Sequence, residues 1–185
     1  MFSKTLTGLT LVGCALFVAV PAQAAPTSTC YINDGYAVSS VVNVDESNEV
    51  FAVKAKASAD EAFTCPLPEA EADLVIGKDA FGQSYEDLLA NHLVMSVSTG
   101  PVGDLVVIDL RDGKEILNVS GDYEYTSDEG IVYWERGADG TAETCDSYAE
   151  LTAMGLGTRI LNGMLLNLET KTSTPTGDTT CEGVS

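Results

Sequence analysis

Four cysteines that follow an N-terminal export segment constrain this chain more than any other feature of its sequence. They are Cys30, Cys65, Cys145 and Cys181. An even number of cysteines in an exported chain is typical of disulfide bonds, so we expect two bonds. Three pairings are possible, and we favour Cys30–Cys65 with Cys145–Cys181. These pairs join nearest neighbours and close two loops of similar length, about 35 residues each.

The first residues have the three parts of a cleavable secretory signal peptide. Lys4 supplies a positive charge, Leu9–Val20 is almost purely apolar, and Ala22-Gln23-Ala24 offers small residues for cleavage. The apolar run is shorter than the roughly 20 residues that span a bilayer. We therefore predict a signal peptide over residues 1–24 and a single mature domain over 25–185 without a membrane span. The expected location is secreted or periplasmic, with a bacterial envelope favoured.

One motif inside this segment suggests a different kind of export. Leu11-Val12-Gly13-Cys14 looks like a lipobox, the bacterial motif that marks a cysteine for lipidation. The cysteine of a lipobox ends the apolar region, whereas Ala15–Val20 continues it here. We therefore expect no lipid anchor at Cys14.

The chain is strongly acidic, with 28 acidic and 9 basic residues and a formal net charge of −19. The first 24 residues carry one lysine and no acid, so their removal makes the charge −20. Such a surface repels phosphate backbones and anionic lipids, which argues against nucleic-acid and membrane-surface functions. It would attract a cationic protein partner. The alternative explanation is that the acidity keeps an exported domain soluble or reflects a saline habitat.

Alternating apolar residues predict about eight strands. They fall over residues 36–44, 51–57, 72–76, 93–99, 103–110, 115–119, 122–126, 131–135 and 165–168, of which 72–76 is short. Leu105–Ile108 is apolar on both faces, which is typical of an interior strand. We expect residues 172–185 to form a loop that Cys181 holds in place.

Two short helices are also predicted. In Ser84–His92, the residues Tyr85, Leu88, Leu89 and His92 have the spacing of one helix face. Ser147–Met154 begins with a capping pattern and is followed by Gly155, which is typical of a helix end. The fold class is therefore mainly β or α+β: one antiparallel-sheet domain, a sandwich or a curved sheet, with two short helices and two disulfides.

No residue pattern indicates a catalytic centre. His92 is the only histidine, so any Ser-His-Asp or Cys-His system would have to use it. The sequence contains no C-x-x-C pair, no D-x-D-x-D-G calcium loop and no phosphate-binding glycine motif. We therefore predict no catalytic residue, no metal site and no cofactor, and we do not favour an enzymatic function.

Two aromatic segments supply a candidate binding surface, whose residues are Tyr123, Tyr125, Tyr133, Trp134 and Arg136. In the first segment, Asp122–Tyr125, strand alternation would place both tyrosines on one face and the two acidic residues on the other. In the second segment, Ile131–Arg136, strand alternation would place Trp134 and Arg136 on one face and Tyr133 on the other. Aromatic residues and arginine often anchor protein interfaces. For Trp134 a core position is the favoured interpretation, and an exposed contact anchor is the alternative.

The leading functional hypothesis combines acidity with the lack of catalytic motifs. It is an exported, non-catalytic binding or inhibitory domain for a cationic protein. Ile131–Cys145, with Trp134 and Gly137, is similar over about 15 residues to the closing hairpin of small periplasmic lysozyme inhibitors, a similarity too short to imply membership. Two alternatives remain: a carboxylate-dependent hydrolase of envelope or extracellular glycans, and a structural envelope protein.

Overall fold

Two antiparallel sheets account for most of the computed structural model, which describes residues 27–43, 48–78, 80–98, 100 and 102–185. The predicted signal peptide and Cys14 lie outside the described residues. The smaller sheet has the order β1-β2-β3-β4, and its strands are Thr27–Ile32, Tyr36–Asn43, Asn48–Ala55 and Leu74–Ile76. The mainly β fold predicted from the sequence is confirmed.

The larger sheet has seven strands in the order β11-β10-β9-β8-β7-β6-β5. In chain order, β5 to β11 are Gln83–Leu89, His92–Ser98, Gly103–Asp109, Lys114–Ser127, Gly130–Asp139, Gly157–Asn167 and Thr172–Val184. A 3-10 turn over Glu69–Glu71 precedes β4, and helix α1 over Tyr148–Ala153 precedes β10.

Both disulfides join the pairs expected from the sequence. Cys30 of β1 bonds to Cys65, which lies between β3 and β4, with the Cα atoms 6.2 Å apart. Cys145, before α1, bonds to Cys181 of β11, with a Cα separation of 5.5 Å. Each bond therefore ties an edge strand of one sheet to a segment outside regular strands.

These bonds predict the result of a thiol-labelling experiment. A chain that begins at Ala25, unfolded without reductant, should incorporate no alkylating reagent, because all four of its cysteines are paired. The same sample treated with reductant should take up four labels, counted by mass spectrometry. Incorporation of two or more labels without reductant would contradict the two-disulfide structure.

The larger sheet bends at the middle of β8. The first half of this strand pairs with β7 up to Ser120, and the second half pairs with β9 from Gly121 onward. A Cβ atom at Gly121 would overlap the backbone carbonyl of Trp134. The close approach of β9 therefore leaves room only for glycine at this position.

Because of the bend, β6 and β7 are covered on both faces. The first core lies between them and the smaller sheet, and its buried residues are Val38, Phe51, Val53, Leu93, Met95, Val106, Ile108 and Leu110. The second core lies between them and β9–β10, and its buried residues are Val94, Leu105, Val107, Ile131, Tyr133 and Leu166. Successive residues of β7 thus enter different cores, which confirms that Leu105–Ile108 is an interior strand.

The predicted helix over Ser84–His92 is wrong, because this segment forms β5, a turn and the start of β6. A β-bulge shifts the register between Tyr85 and Asp87. The extra residue places Tyr85 and Leu88 on the side of the first core, three positions apart. A spacing of three is also typical of one helix face, which explains the wrong prediction. Leu89 points the other way and packs against the second core.

The C-terminal third both confirms and corrects the sequence prediction. Helix α1 lies inside the predicted range 147–154, although the Ser147 side chain makes no capping hydrogen bond. Residues 172–185 are not a loop, because Thr172–Val184 forms β11, an edge strand beside β10. An edge strand with no core face has a polar composition, which explains why the sequence resembled a loop.

Candidate functional site

The surface of β8–β11 that points away from the second core is called the outer face here. Ile131 and Tyr133 point into the second core, so Val132 and Trp134 point outward. Trp134 lies opposite Gly163 of β10 and is half-buried. The sequence favoured a core position for this tryptophan, and that expectation is wrong, because Trp134 lies half-buried on the outer face.

A carboxylate holds the indole of Trp134. Its Nε1 donates a hydrogen bond to Glu124 Oε2 at 2.7 Å. Glu124 is exposed, and it is the extra residue of a β-bulge between Tyr123 and Tyr125. The bulge thus brings an acidic group beside the one tryptophan of the chain.

The same bulge separates the two tyrosines that strand alternation placed on one face. Tyr123 pairs with Tyr133 and packs against the second core, whereas Tyr125 pairs with Val132 and is 53% exposed. The hydroxyl of Tyr123 donates to Asp87 Oδ2 at 2.8 Å, and burial raises its pKa. Only Tyr125 of this pair therefore lies on the outer face.

The Arg136 side chain is buried and paired with carboxylates, so it is not an exposed contact residue. Its side chain is 7% exposed and forms ion pairs with Asp122 and Glu182. Its Nη1 also donates to the carbonyl oxygen of Gly103 at 2.7 Å. Burial acts to lower the pKa of Arg136, but the two carboxylates outweigh it and raise the pKa. Its charge is thus neutralised within the fold.

The five predicted surface residues therefore divide into two groups. Tyr125 and Trp134 lie on the outer face, whereas Tyr133, at 1% exposure, belongs to the second core. Tyr123 and Arg136 have internal hydrogen-bond partners. The bulge decides the separation of Tyr123 from Tyr125, and no period in the sequence reveals a single inserted residue.

Three acidic residues lie near Trp134 on the outer face. Asp122 and Glu124 of β8 are exposed, and Asp178 of β11 packs beside Gly163, opposite Trp134. Asp178 was not among the predicted surface residues, because residues 172–185 were expected to form a loop. Six of the eight basic side chains after residue 26 form ion pairs with carboxylates of the described residues. Acidic groups therefore dominate the exposed charge.

A second group of polar residues, the Asp109 cluster, consists of Asn91, Asp109, Arg111 and Lys171. The Asp109 side chain is 2% exposed and accepts five hydrogen bonds from the other three residues. The hydrogen bonds from the Arg111 side chain make the largest contribution to a strongly lowered pKa of Asp109. A carboxylate saturated by donors is a poor base, so the cluster is a structural link between β7 and the β10–β11 turn.

His92 pairs with Asp109 across β6 and β7. It is 3% exposed, and neither ring nitrogen has a hydrogen-bond partner among the described residues. Burial lowers the pKa of His92 despite the opposing effect of Asp109. Burial therefore favours the neutral form of this packed imidazole.

The chain matches no family model, no curated protein and no solved structure. No three His, Cys, Asp or Glu side chains of the described residues are grouped so that they could hold a metal ion. Within the same residues, no helix has the length and apolar character needed to cross a membrane. Any functional proposal therefore rests on the geometry and charge of the outer face.

Proposed function

We propose that this protein is an exported, non-catalytic binding domain whose outer face recognises a cationic segment of a partner protein. One observation carries the proposal. Exposed Tyr125 and half-buried Trp134 lie among carboxylates, while the nearby cation Arg136 is neutralised inside the fold. The signal-like N-terminus and the two disulfides support an oxidising location outside the cytosol.

The chemistry of this face suits lysine and arginine side chains. Exposed carboxylates accelerate the encounter with a cationic partner and set its orientation. Aromatic rings then bind the arriving cations through their π faces, at about 0.5–1 kcal/mol each for exposed sites. Because Glu124 fixes the indole of Trp134, the ring loses little conformational freedom when a partner binds.

A charge-neutralising pair of substitutions tests this proposal with a fluorescent hexalysine peptide as the probe. Glu124→Gln with Asp178→Asn removes two charges from the outer face and keeps an acceptor for the Trp134 indole. We expect hexalysine affinity, measured by fluorescence anisotropy, to fall by about five- to tenfold, since each exposed pair contributes up to about 1 kcal/mol. Binding should also weaken as salt is raised.

The matched control is Asp146→Asn with Glu150→Gln. It removes the same charge from exposed positions at helix α1. This control should weaken hexalysine binding less than twofold. Equal losses in the two double variants, or wild-type binding that ignores salt, would leave solubility as a sufficient explanation of the acidity.

A further inference from the structure

A cleft of about 550 Å³ adjoins the outer face at the end formed by two β-turns. One wall is the β8–β9 turn with Asp128 and Glu129, and the other is the β10–β11 turn with Glu169. Leu165 and Leu168 also line it. It is called the turn cleft below, and none of the residues that line it belongs to the predicted binding surface.

The turn cleft keeps three uncompensated negative charges. Asp128, Glu129 and Glu169 are exposed and form no ion pair with any described residue. Lys171 belongs to the same turn as Glu169, but its Nζ lies 3.0 Å from Asp109 Oδ2, outside the cleft. Lys171 thus pairs with Asp109 and does not neutralise the three carboxylates of the turn cleft.

An apolar wall accompanies these charges. Leu165 and Leu168 are half-buried, and Leu168 packs against the second core. Leu165 pairs with Val132, which in turn pairs with the exposed Tyr125. This row of side chains makes the turn cleft continuous with the outer face.

We infer that the turn cleft receives a lysine or arginine side chain of the cationic partner. The aliphatic stem of such a side chain packs on Leu165 and Leu168, while its charged end lies among the three carboxylates. The inference rests on the proposed function and adds to it a specific pocket for one long cationic residue. Charge complementarity selects this occupant, because the described residues that line the cleft include three acids and no base.

Two triple variants test the inference with the same hexalysine probe. Asp128→Asn, Glu129→Gln and Glu169→Gln neutralise the turn cleft. Asp60→Asn, Asp146→Asn and Glu150→Gln remove three exposed charges elsewhere. We expect the cleft variant to bind hexalysine about tenfold more weakly than the control variant. Titration of the wild-type chain should shift the backbone amide NMR signals of Leu168, Thr170 and Thr172.

The possible outcomes separate the two proposals. If the cleft variant binds like the triple control while the outer-face double variant binds weakly, the cleft inference is overturned and the proposed function stands. If all variants lose affinity in proportion to charge alone, both proposals are overturned. A loss confined to the cleft variant and the outer-face variant, with shifts at Leu168–Thr172, supports both.

Discussion

Leu105→Ala and Ile108→Ala should each destabilise the protein by about 2–5 kcal/mol, the range for truncating a large buried aliphatic side chain. The two residues lie on the same strand, β7, and point in opposite directions. Leu105 is 0% exposed in the second core, and Ile108 is 8% exposed in the first. A strand of an ordinary two-layer sandwich would tolerate one of these changes, because one face of such a strand meets solvent.

The measurement is urea-induced unfolding with the disulfides intact. Thr174→Ala, on the exposed β11, is the control and should change the free energy of unfolding by less than about 0.5 kcal/mol. A cost below 1 kcal/mol for either Leu105→Ala or Ile108→Ala would contradict the burial of β7 on both faces.

Asp109→Ala should cost about 2–3 kcal/mol at neutral pH, because it removes five hydrogen bonds and the link between β7 and the β10–β11 turn. We expect the cost to stay below that of an isolated buried charge. The side chains of Arg111 and Lys171 are 59% and 39% exposed, so water can solvate them in the variant.

The effect of Asp109→Ala should depend on pH in a defined direction. The pKa of Asp109 is lowered in the folded protein, first of all by Arg111. Its stabilisation is therefore complete above the ordinary aspartate pKa of about 3.9 and is lost as the pH falls further. The difference in unfolding free energy between the wild type and the variant should be constant from pH 7 to pH 5 and shrink below about pH 4.

Asp112→Ala is the matched control for Asp109→Ala. Asp112 pairs with Lys114 at the surface, where the side chains are 40% and 76% exposed. Its removal should cost less than about 1 kcal/mol, as is usual for a surface ion pair. Equal costs for the two aspartates would show that the Asp109 cluster does not fasten the β10–β11 turn.

The cysteine pattern and the strand periods were enough to predict the disulfides, the mainly β fold and the interior strand. The count of four cysteines predicts two disulfides, whereas the pairing of sequence neighbours was a preference among three possibilities that the structure confirms. Leu105–Ile108 could be recognised as an interior strand because both of its faces are apolar. Tyr125 and Trp134 were candidates from residue type alone, because aromatic side chains often anchor interfaces, whereas their position on the outer face is known only from the structure.

Only the tertiary structure decided which side chains share a face. One inserted residue before Asp87 turned a strand into an apparent helix, and one at Glu124 moved Tyr125 to the outer face and left Tyr123 in the core. A bulge shifts every following side chain by one position, so alternation along the chain no longer reports direction. Two other features likewise depend on residues far apart in the chain. They are the bend at Gly121 and the ion pair between Lys171 and Asp109. Local sequence patterns do not report such contacts. The contacts form, and stabilise the protein, only when the layers of the fold pack together.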